Sequence, residues 1–557
     1  MLKTRVEIRA AVGFALAFLL FFAQLPLRGL LPGNTDSLLA IALSNLIREK
    51  IGLFLSGLPP FTAMYPARDI LAYGENCYGL AFVFLFFRML TRSDLWGYYL
   101  FIVTLFTANA WAVAQWVGLF VEGALIPWVA GLVFCLSGFT LANIDDPNVV
   151  FVALPLASLY CLERGVRDGD RRWLSRALFC TGLQIWFGFY VFVFQNLVLL
   201  ILIPSRGRKL LAGGTHRDVL AAAAALLVPC LPLLLLYFHN HLHAQVVSPY
   251  DGASTAAQTS MSWHSFRNVL PGNLLYSEAA NVFDPSEVGA WGRLRKTGFT
   301  GFALPVLALL GLALSFRKAR GYLAIFVLFL ALSFGVHLPG FSQLARLPLG
   351  GYFRVPARFH LFALLPLILF AALGLRWLVR RLKSRAAAVV VGLVAGAILL
   401  ENVPFPLPGY AYEELLAPPD EYPRFFGGFA RPAVILDLPS ACLYRPGDPV
   451  DESERLFFDT RDILYMNWQT YHRQWIVGGV NSYVASSRAQ LDDDLQRVPD
   501  PDSLRRLRSL GVEYIVFHKN LIQQPHESVL PRLQASPELR SRLETPRVAI
   551  FEIRPAS

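Results

Sequence analysis

A single carboxylate, Asp36, follows the first long apolar segment of the chain, in the stretch GNTDSLLAIA at residues 33–42. At a membrane surface such an acid can take a proton from an attacking hydroxyl as a general base, or it can ligate a divalent cation. An acid just before a helix-like stretch is also typical of a helix N-cap. The sequence therefore leaves a catalytic base, a cation ligand and a cap as alternative roles for Asp36.

Two adjacent acids, Asp145 and Asp146, lie in LANIDDPN between two apolar segments. Two unpaired carboxylates next to a bilayer cost several kcal/mol, so the pair indicates a metal ion or a cationic partner beside it. The alternative is a helix end before Pro147, with the acids hydrated or capping the next helix. Both interpretations are open from the residues alone.

Two arginines, Arg354 and Arg358, lie in GGYFRVPARFH at the start of a late apolar segment. Arginine binds phosphate through two parallel N–H donors, and both side chains can point at one phosphate group. Anchoring of the helix at the membrane interface is the alternative role.

The elements that must position these residues are membrane helices. Of the 557 residues, 55% are hydrophobic and only 16% are charged, which excludes a water-soluble protein. The net charge of +11 comes from short basic runs between apolar segments, such as RDGDRR, SRGRK and RRLKSR. This is the positive-inside pattern of a membrane protein, so we expect a polytopic α-helical membrane protein that binds membrane lipids and no nucleic acid.

About eleven apolar segments can cross a bilayer, which takes roughly 20 residues each. The run from Ala177 to Pro204 is basic at both ends, so we expect a tight hairpin that breaks near Phe187-Gly188-Phe189. Residues 79–90 are too short to span and are expected to lie in the interface or to re-enter. This assignment puts the N-terminus and the basic loops in the cytoplasm and the C-terminal region outside.

The predicted domains are a membrane module at residues 1–403, with outer loops at 31–97 and 239–297, and an extracytoplasmic α/β domain at 404–557. In the tail, PAVILDL, VEYIVFH and VAIFEI predict strands. The stretch PDSLRRLRSLG predicts an amphipathic helix with Leu504, Leu507 and Leu510 on one side and a glycine at its end.

These features together resemble the GT-C superfamily of polytopic glycosyltransferases and, within it, the bacterial YfhO-type membrane proteins. The motifs that carry the resemblance are GNTDSLL in the first loop, FTAMYP after it, LSGFTLANIDD, FRVPARF, and in the tail MNWQTYHRQWIVGGVNSY and LRSLGVEYIVFH. The resemblance extends over nearly the full length of the chain.

The resemblance implies transfer of a sugar from a polyprenyl-phosphate donor to a glycan or lipid acceptor of the cell envelope, at the outer face of the bacterial inner membrane. Asp36 would deprotonate the acceptor hydroxyl. Arg354 and Arg358 would stabilise the departing lipid phosphate. Asp145 or Asp146 would contact a metal ion or the acceptor.

The first loop departs from one GT-C pattern. Many GT-C enzymes have Asp-x-Asp or Glu-x-Asp there, whereas Ser37 and Leu38 follow Asp36 in this chain. A single carboxylate suffices as the base for an inverting transfer. No cofactor is therefore certain, and a divalent cation stays an open alternative.

Two other functions compete with transfer. One is transport or flipping of lipid-linked sugars. The sequence lacks the inverted repeat and the broken helices at matched positions that are typical of transporters, which argues against this function. The other is a non-catalytic envelope scaffold, which would lose its effect on deletion of residues 404–557 but not on Asp36→Asn. Consumption of lipid-linked sugar in a sealed system, rather than its passage across the membrane, distinguishes the enzyme from the transporter.

Overall fold

The computed structural model describes residues 2–32, 35–55, 77–207, 210, 215–242, 246–247, 256–257, 259–276, 281, 296–345, 354–411, 418–439, 452–479, 484–485, 491, 495, 497–521 and 528–555. In chain order, the α-helices up to residue 242 are α1 (Leu2–Phe22), α2 (Gln24–Leu27), α3 (Thr35–Leu55), α4 (Tyr78–Thr91), α5 (Asp94–Val117), α6 (Leu125–Cys135), α7 (Gly138–Ala142), α8 (Pro147–Val150), α9 (Ala153–Asp168), α10 (Arg172–Gln184), α11 (Phe189–Leu202) and α12 (His216–Leu242). The later ones are α13 (Ala303–Ser333), α14 (Phe341–Ala345), α15 (His360–Val379), α16 (Ser384–Asn402), α17 (Glu421–Phe426), α18 (Glu452–His472), α19 (Pro501–Ser509) and α20 (Val529–Ala535). The strands are β1 (Leu30–Pro32), β2 (Val246–Val247), β3 (Gly409–Ala411), β4 (Val434–Leu438), β5 (Trp475–Ile476), β6 (Val484–Ala485), β7 (Tyr514–His518), β8 (Leu539–Glu544) and β9 (Val548–Ile553).

Among the residues that the structure describes, eight helical stretches are long and apolar enough to cross a membrane: Arg9–Leu27, Asp94–Val117, Leu125–Ala142, Pro147–Asp168, Phe189–Arg206, His216–Leu236, Pro356–Val379 and Ser384–Asn402. Three shorter apolar helices accompany them: Tyr78–Thr91, Ala303–Phe316 and Ala319–Ser333. The predicted polytopic α-helical class is therefore confirmed. Helix α10, which the sequence analysis counted as a crossing, is not among these stretches, whereas α4 is one of the three shorter ones.

The run with two basic ends folds as a hairpin. Helix α10 ends at Gln184 and α11 begins at Phe189, so the chain turns within residues 185–188. A Cβ on Gly188 would lie 2.2 Å from the backbone oxygen of Asn148, so only glycine permits this approach. The break therefore falls where the sequence predicts it, and the reason is a backbone contact that no other residue type allows.

Helix α4 lies against α5. The Phe84 and Phe101 rings pack edge to face, and a Cβ on Gly97 would lie 2.9 Å from the Arg88 Cα atom. The 14 residues of α4 extend about 21 Å, less than the roughly 30 Å of a bilayer core. The opposite face of α4 exposes Phe82, Phe86, Met89 and Leu90. A short apolar helix with one exposed face suits the predicted interfacial or re-entrant placement.

The continuous helical stretch α13 folds back on itself. Near its start, Gly298 N–H donates to the Ser265 oxygen at 2.9 Å, and at its end Met261 N–H donates to the Ser333 oxygen at 2.9 Å. A straight helix of 31 residues would be about 46 Å long, so its two ends could not both meet the short segment 261–265. The two apolar halves of α13 are therefore separate arms on either side of the basic sequence RKAR at residues 317–320.

By its contacts the chain divides into two compact units. The first comprises residues 1–34, 76–234 and 250–410, and the second comprises residues 35–75, 235–249 and 411–557. Helix α3, which the sequence analysis placed in an outer loop of the membrane module, groups with the C-terminal tail. The sequence gives no sign of this, because the two segments lie about 400 residues apart, a spacing at which local patterns carry no information.

The tail is an α/β domain, as predicted. Its five-stranded sheet has the order β5-β4-β7-β9-β8, with β4 parallel to β5 and β7, and β9 antiparallel to β7 and β8. The three predicted strands are β4, β7 and β9. Helix α19 buries Leu504 and Leu507, and Gly511 follows it with φ +87°. Strand β8 was missed, because its residues LRSRLE are mostly exposed and lack an apolar alternation.

Candidate active site

One of the two acids and one of the two arginines meet in the first compact unit. The Arg358 Nη2 atom lies 2.5 Å from the Asp146 Oδ2 atom, and the exposed fractions of the two side chains are 11% and 6%. The guanidinium carbon of Arg358 lies 4.4 Å from the centroid of the Tyr190 ring. The site is therefore a buried ion pair with a cation–π contact, in which each charge requires the other.

The backbone around Asp146 directs its carboxylate to Arg358. Asp146 occupies the N-cap position of α8, and its backbone oxygen accepts hydrogen bonds from Val149 and Val150 at 3.0 and 3.1 Å. Its side chain makes no capping hydrogen bond. Asp146 therefore occupies a cap position, which was one interpretation of the acid pair. Its carboxylate binds a cationic side chain, which was the other. The hydrated alternative is wrong, because the side chain is buried.

Asp145 is buried beside this pair, with an exposed fraction of 2%. Two acids and one arginine would carry a formal charge of −1 if all three were ionised, so Asp145 requires a further positive or hydrogen-bonding neighbour. Among the residues that the structure describes, no group of three or more His, Cys, Asp or Glu is arranged to hold a metal ion. The metal requirement stays open on this geometry.

The two arginines have different surroundings. Arg358 lies in the 3₁₀ turn Pro356–Phe359 that leads into α15, and this turn points it inward. Arg354 is half-buried, and its backbone oxygen accepts a hydrogen bond from the Thr259 hydroxyl at 2.9 Å. Interfacial anchoring is wrong for Arg358, because its guanidinium is buried against Asp146 and Tyr190. That both arginines face one phosphate stays a prediction.

Asp36 is the second residue of α3, and its side chain lies outside the described part of the chain. The helix begins at Thr35, so Asp36 is not at the predicted N-cap position but two residues beyond it, in the first turn, where an acid interacts favourably with the helix dipole. Asp36 belongs to the second compact unit, whereas the acid pair and the arginines belong to the first. The shared cavity expected for Asp36 and the arginines stays a prediction.

Two further buried polar residues of the first compact unit, His360 and Lys296, were not singled out from the sequence. His360, two residues beyond Arg358, is buried between the rings of Phe139 and Phe266, and neither ring nitrogen has a hydrogen-bond partner among the described residues. Lys296 is buried to an exposed fraction of 1%. The one available signal was His360 itself, a polar residue inside an apolar segment. Nothing in the sequence separates Lys296 from its basic neighbours.

An apolar groove lies between helices of the same unit. Its lining residues are all apolar and come from four helices: Ile126, Val129, Ala130, Val133, Leu304, Leu307, Ile368, Ala371, Ala372, Leu375 and Ile398. Ile368 stands ten residues after Arg358, about 15 Å further along the turn and α15. The turn before α15 therefore carries the buried arginine, and α15 itself carries part of the apolar surface.

No protein-family model matches the sequence. No curated protein matches it by sequence. Among solved structures, the fold is similar to a mutant form of the arabinofuranosyltransferase AftD from Mycobacteria, with a TM-score of 0.59 and 16% identity. This similarity covers 99% of the present chain and 42% of the mycobacterial one, so the chain spans less than half the length of that protein.

Two other similarities are weaker. ArnT from Cupriavidus metallidurans in the apo state has a TM-score of 0.40 and 13% identity, over 99% of this chain and 98% of that chain. The apo oligosaccharyltransferase of Archaeoglobus fulgidus has a TM-score of 0.47 and 10% identity, over 92% of this chain and 70% of that chain. The fold assignment rests on AftD, and it confirms the expected GT-C architecture. The YfhO-type subgroup stays a prediction.

Proposed function

We propose that the protein transfers a sugar from a polyprenyl-phosphate donor to a glycan or lipid acceptor of the cell envelope, at the outer face of the bacterial inner membrane. The observation that carries the proposal is the buried pair of Asp146 and Arg358 at the start of α15, inside a GT-C fold. The name of AftD denotes transfer of arabinofuranose, which supports glycosyl transfer in general and leaves the sugar of this chain undefined.

Arg358 is the proposed contact for the donor phosphate. When the bond from the sugar to the phosphate breaks, negative charge accumulates on the leaving lipid phosphate, and a preorganised guanidinium stabilises that charge without rearranging. The ion pair with Asp146 and the Tyr190 ring hold the guanidinium in place before the donor arrives. Arg354, four residues earlier, is the proposed second contact.

The two buried acids then have separate roles in the proposal. Asp146 orients Arg358, because its carboxylate is already engaged by that side chain. Asp145 is the candidate for contact with the acceptor or with a divalent cation. This division refines the sequence-based expectation, in which either acid could serve.

Asp36 is the proposed general base. It takes the proton of the acceptor hydroxyl while the oxygen attacks the anomeric carbon, and one carboxylate suffices for a transfer with inversion. The isoprenoid chain of the donor would lie in the apolar groove that α6, α13, α15 and α16 line, because a lipid chain of this kind requires an apolar surface.

The proposal is tested in sealed vesicles that contain the purified protein and a polyprenyl-phosphate sugar, after the lipids that copurify with the protein have been identified by mass spectrometry. We expect consumption of the donor and its loss on Asp36→Asn, with the folded protein retained. Full transfer by Asp36→Asn would remove the assigned base. Passage of intact donor across the membrane, without consumption, would favour the transporter instead.

A further inference from the structure

Helix α3 belongs by its contacts to the same compact unit as the C-terminal tail. The middle of α3 is buried, and Ile41, Asn45 and Leu46 are each exposed by 2% or less. Because Asp36 is the second residue of this helix, whatever holds α3 also determines where Asp36 lies.

A buried pair of amides joins α3 to the tail helix α18. The Asn45 Nδ2 group donates to the Asn467 Oδ1 atom at 3.1 Å, and the exposed fractions of the two residues are 2% and 1%. The other two amide atoms, Asn45 Oδ1 and Asn467 Nδ2, have no hydrogen-bond partner among the described residues. A polar pair retained in a buried interface at such a cost is typical of contacts that fix the register of two helices.

A second contact lies further along both segments, at Arg473 immediately after the end of α18. Four residues after Asn45, the Glu49 carboxylate accepts from Arg473 at 3.2 Å, six residues after Asn467. The two contacts occur in the same order in both segments, so α3 runs beside α18 in the same direction. Asp36 precedes Asn45 by nine residues, or about 14 Å of helix. A small change in the direction of α3 at Asn45 would therefore displace Asp36.

Helix α18 is itself fixed on the tail sheet. The Tyr465 hydroxyl donates to the Pro439 oxygen at 2.7 Å, immediately after β4. The rings of Tyr465 and Trp468 pack on His518 of β7, with ring centroids 5.0 and 5.1 Å apart. These side chains are fully buried. Helix α18 cannot move without disturbing the core of the tail, so the contacts of Asn467 are made from a rigid element.

We infer that the tail is a working part of the transferase, in which Asn467, acting through Asn45, is a positioning residue for Asp36. The inference rests on the proposed function, because it assigns to the tail the task of holding the proposed base. It also predicts the effect of removing the tail. Deletion of residues 404–557 would remove the support of α3 and abolish transfer, so that deletion no longer separates an enzyme from a scaffold.

The test compares Asn467→Ala, Asn45→Ala and the double variant in the reconstituted transfer assay. We expect kcat to fall about 10- to 100-fold in each, because a displacement of about 1 Å at a catalytic group has an effect of this order. KM for the donor should change less than about twofold, since the donor contacts are assigned elsewhere. The double variant should be no slower than either single variant, because both remove one contact. Hydrogen exchange of residues 35–55 should become faster.

Two control variants lie in the tail, away from α3. Leu533→Ala removes a buried side chain of the apolar core on the other face of the sheet, and Gln534→Ala removes an exposed amide. Leu533→Ala should lower the melting temperature and leave kcat of the folded protein unchanged, while Gln534→Ala should change neither.

The protonation of His472 in α18 does not change under the conditions of the assay. Burial lowers the pKa of His472 to about 4, so this residue of α18 stays neutral at pH 7.

The outcomes separate the two proposals. If Asp36→Asn abolishes transfer while Asn467→Ala and Asn45→Ala keep the wild-type kcat, the positioning role is overturned and the proposed function stands. If Leu533→Ala lowers kcat as much as Asn467→Ala, the loss reflects general damage to the tail, which also overturns the positioning role. If Asp36→Asn retains transfer, the base assignment itself fails.

Discussion

Two arginines pair with buried carboxylates in the helix bundle, and the two acids lie at different places in the fold. Arg206 Nη1 lies 2.7 and 2.8 Å from the two carboxylate oxygens of Glu163, and the Tyr322 hydroxyl donates to the same acid at 2.8 Å. Tyr190, which lies under Arg358, precedes Arg206 by sixteen residues, or about 24 Å of helix. The same three residue types, arginine, acid and tyrosine, therefore occur at two distant levels of the bundle.

The surroundings of the acids give the two clusters different roles. Glu163 lies within α9, and its cluster reaches α5 through Trp116, whose indole N–H donates to the Tyr322 hydroxyl at 3.3 Å. Asp146 lies instead at a turn before α8, next to a second buried acid. A charged group inside a membrane segment is by default a functional candidate. Glu163, engaged on both oxygens and linked through Tyr322 to Trp116 of α5, is better explained as a tie between helices.

The largest effect expected from this comparison is on stability. Arg206→Met would leave Glu163 buried without its cation, and the expected loss is about 3–5 kcal/mol. The melting temperature of the solubilised protein measures it. Arg376→Met is the matched control, since Arg376 pairs with the exposed Glu122 and a surface pair contributes about 0–1 kcal/mol. Equal melting temperatures for Arg206→Met and the wild type would remove the structural role.

The second effect is on rate. Arg358→Lys keeps the charge beside Asp146 but loses the planar guanidinium, and we expect kcat to fall about 100-fold with little change in melting temperature. Arg206→Lys should do the reverse, with lower stability and near-normal kcat per folded molecule. A crossed result, in which Arg358→Lys mainly unfolds the protein, would show that both clusters are structural.

A smaller effect is expected at the tyrosine of the first cluster. Tyr322→Phe removes the hydroxyl that donates to Glu163 and accepts from Trp116, which should lower stability by about 1–3 kcal/mol. Transfer by the folded variant should be unchanged. Trp116→Phe also leaves a cavity, because Trp116 is fully buried, so the double variant should lose less stability than the sum of the two single variants. Full additivity would contradict a single connected network.

The smallest effect is expected at the tyrosine of the second cluster. Tyr190→Leu removes the ring that lies against the Arg358 guanidinium, and we expect about 0.5–1 kcal/mol of this contact to be lost in the rate, because the ion pair with Asp146 still holds the guanidinium. We expect kcat to fall about two- to fivefold, while Tyr190→Phe, which keeps the ring, should fall less. A larger loss in Tyr190→Phe than in Tyr190→Leu would assign the effect to the hydroxyl instead of the ring.

Much of the fold could be predicted because it depends on local sequence patterns. The hairpin break at Gly188, the strands β4, β7 and β9 and the helix α19 each follow from the spacing of apolar residues and the position of glycine. Strand β8 could not be found, because an edge strand with exposed arginines lacks the alternation of a half-buried strand.

The residues of the candidate site could be predicted from the sequence, but the contact between Asp146 and Arg358 could not. The acids and arginines could be chosen because charged groups beside apolar segments need a reason. The acids were expected to contact a metal ion or the acceptor, and the arginines were expected to contact a phosphate. The contact of Asp146 with Arg358, 212 residues away in the chain, was not foreseen. Burial of His360 and Lys296 was likewise invisible, since burial depends on neighbours from distant segments.

The sequence by itself determined that the chain enters a membrane repeatedly, ends in an α/β domain and places acids and arginines at the ends of apolar segments, because periodicity and charge are local properties. The tertiary structure alone decided that Arg358 binds Asp146, that α13 folds back and that α3 is held by the tail. These depend on which surfaces meet after folding, and a contact between residues hundreds of positions apart leaves no local pattern in a single chain.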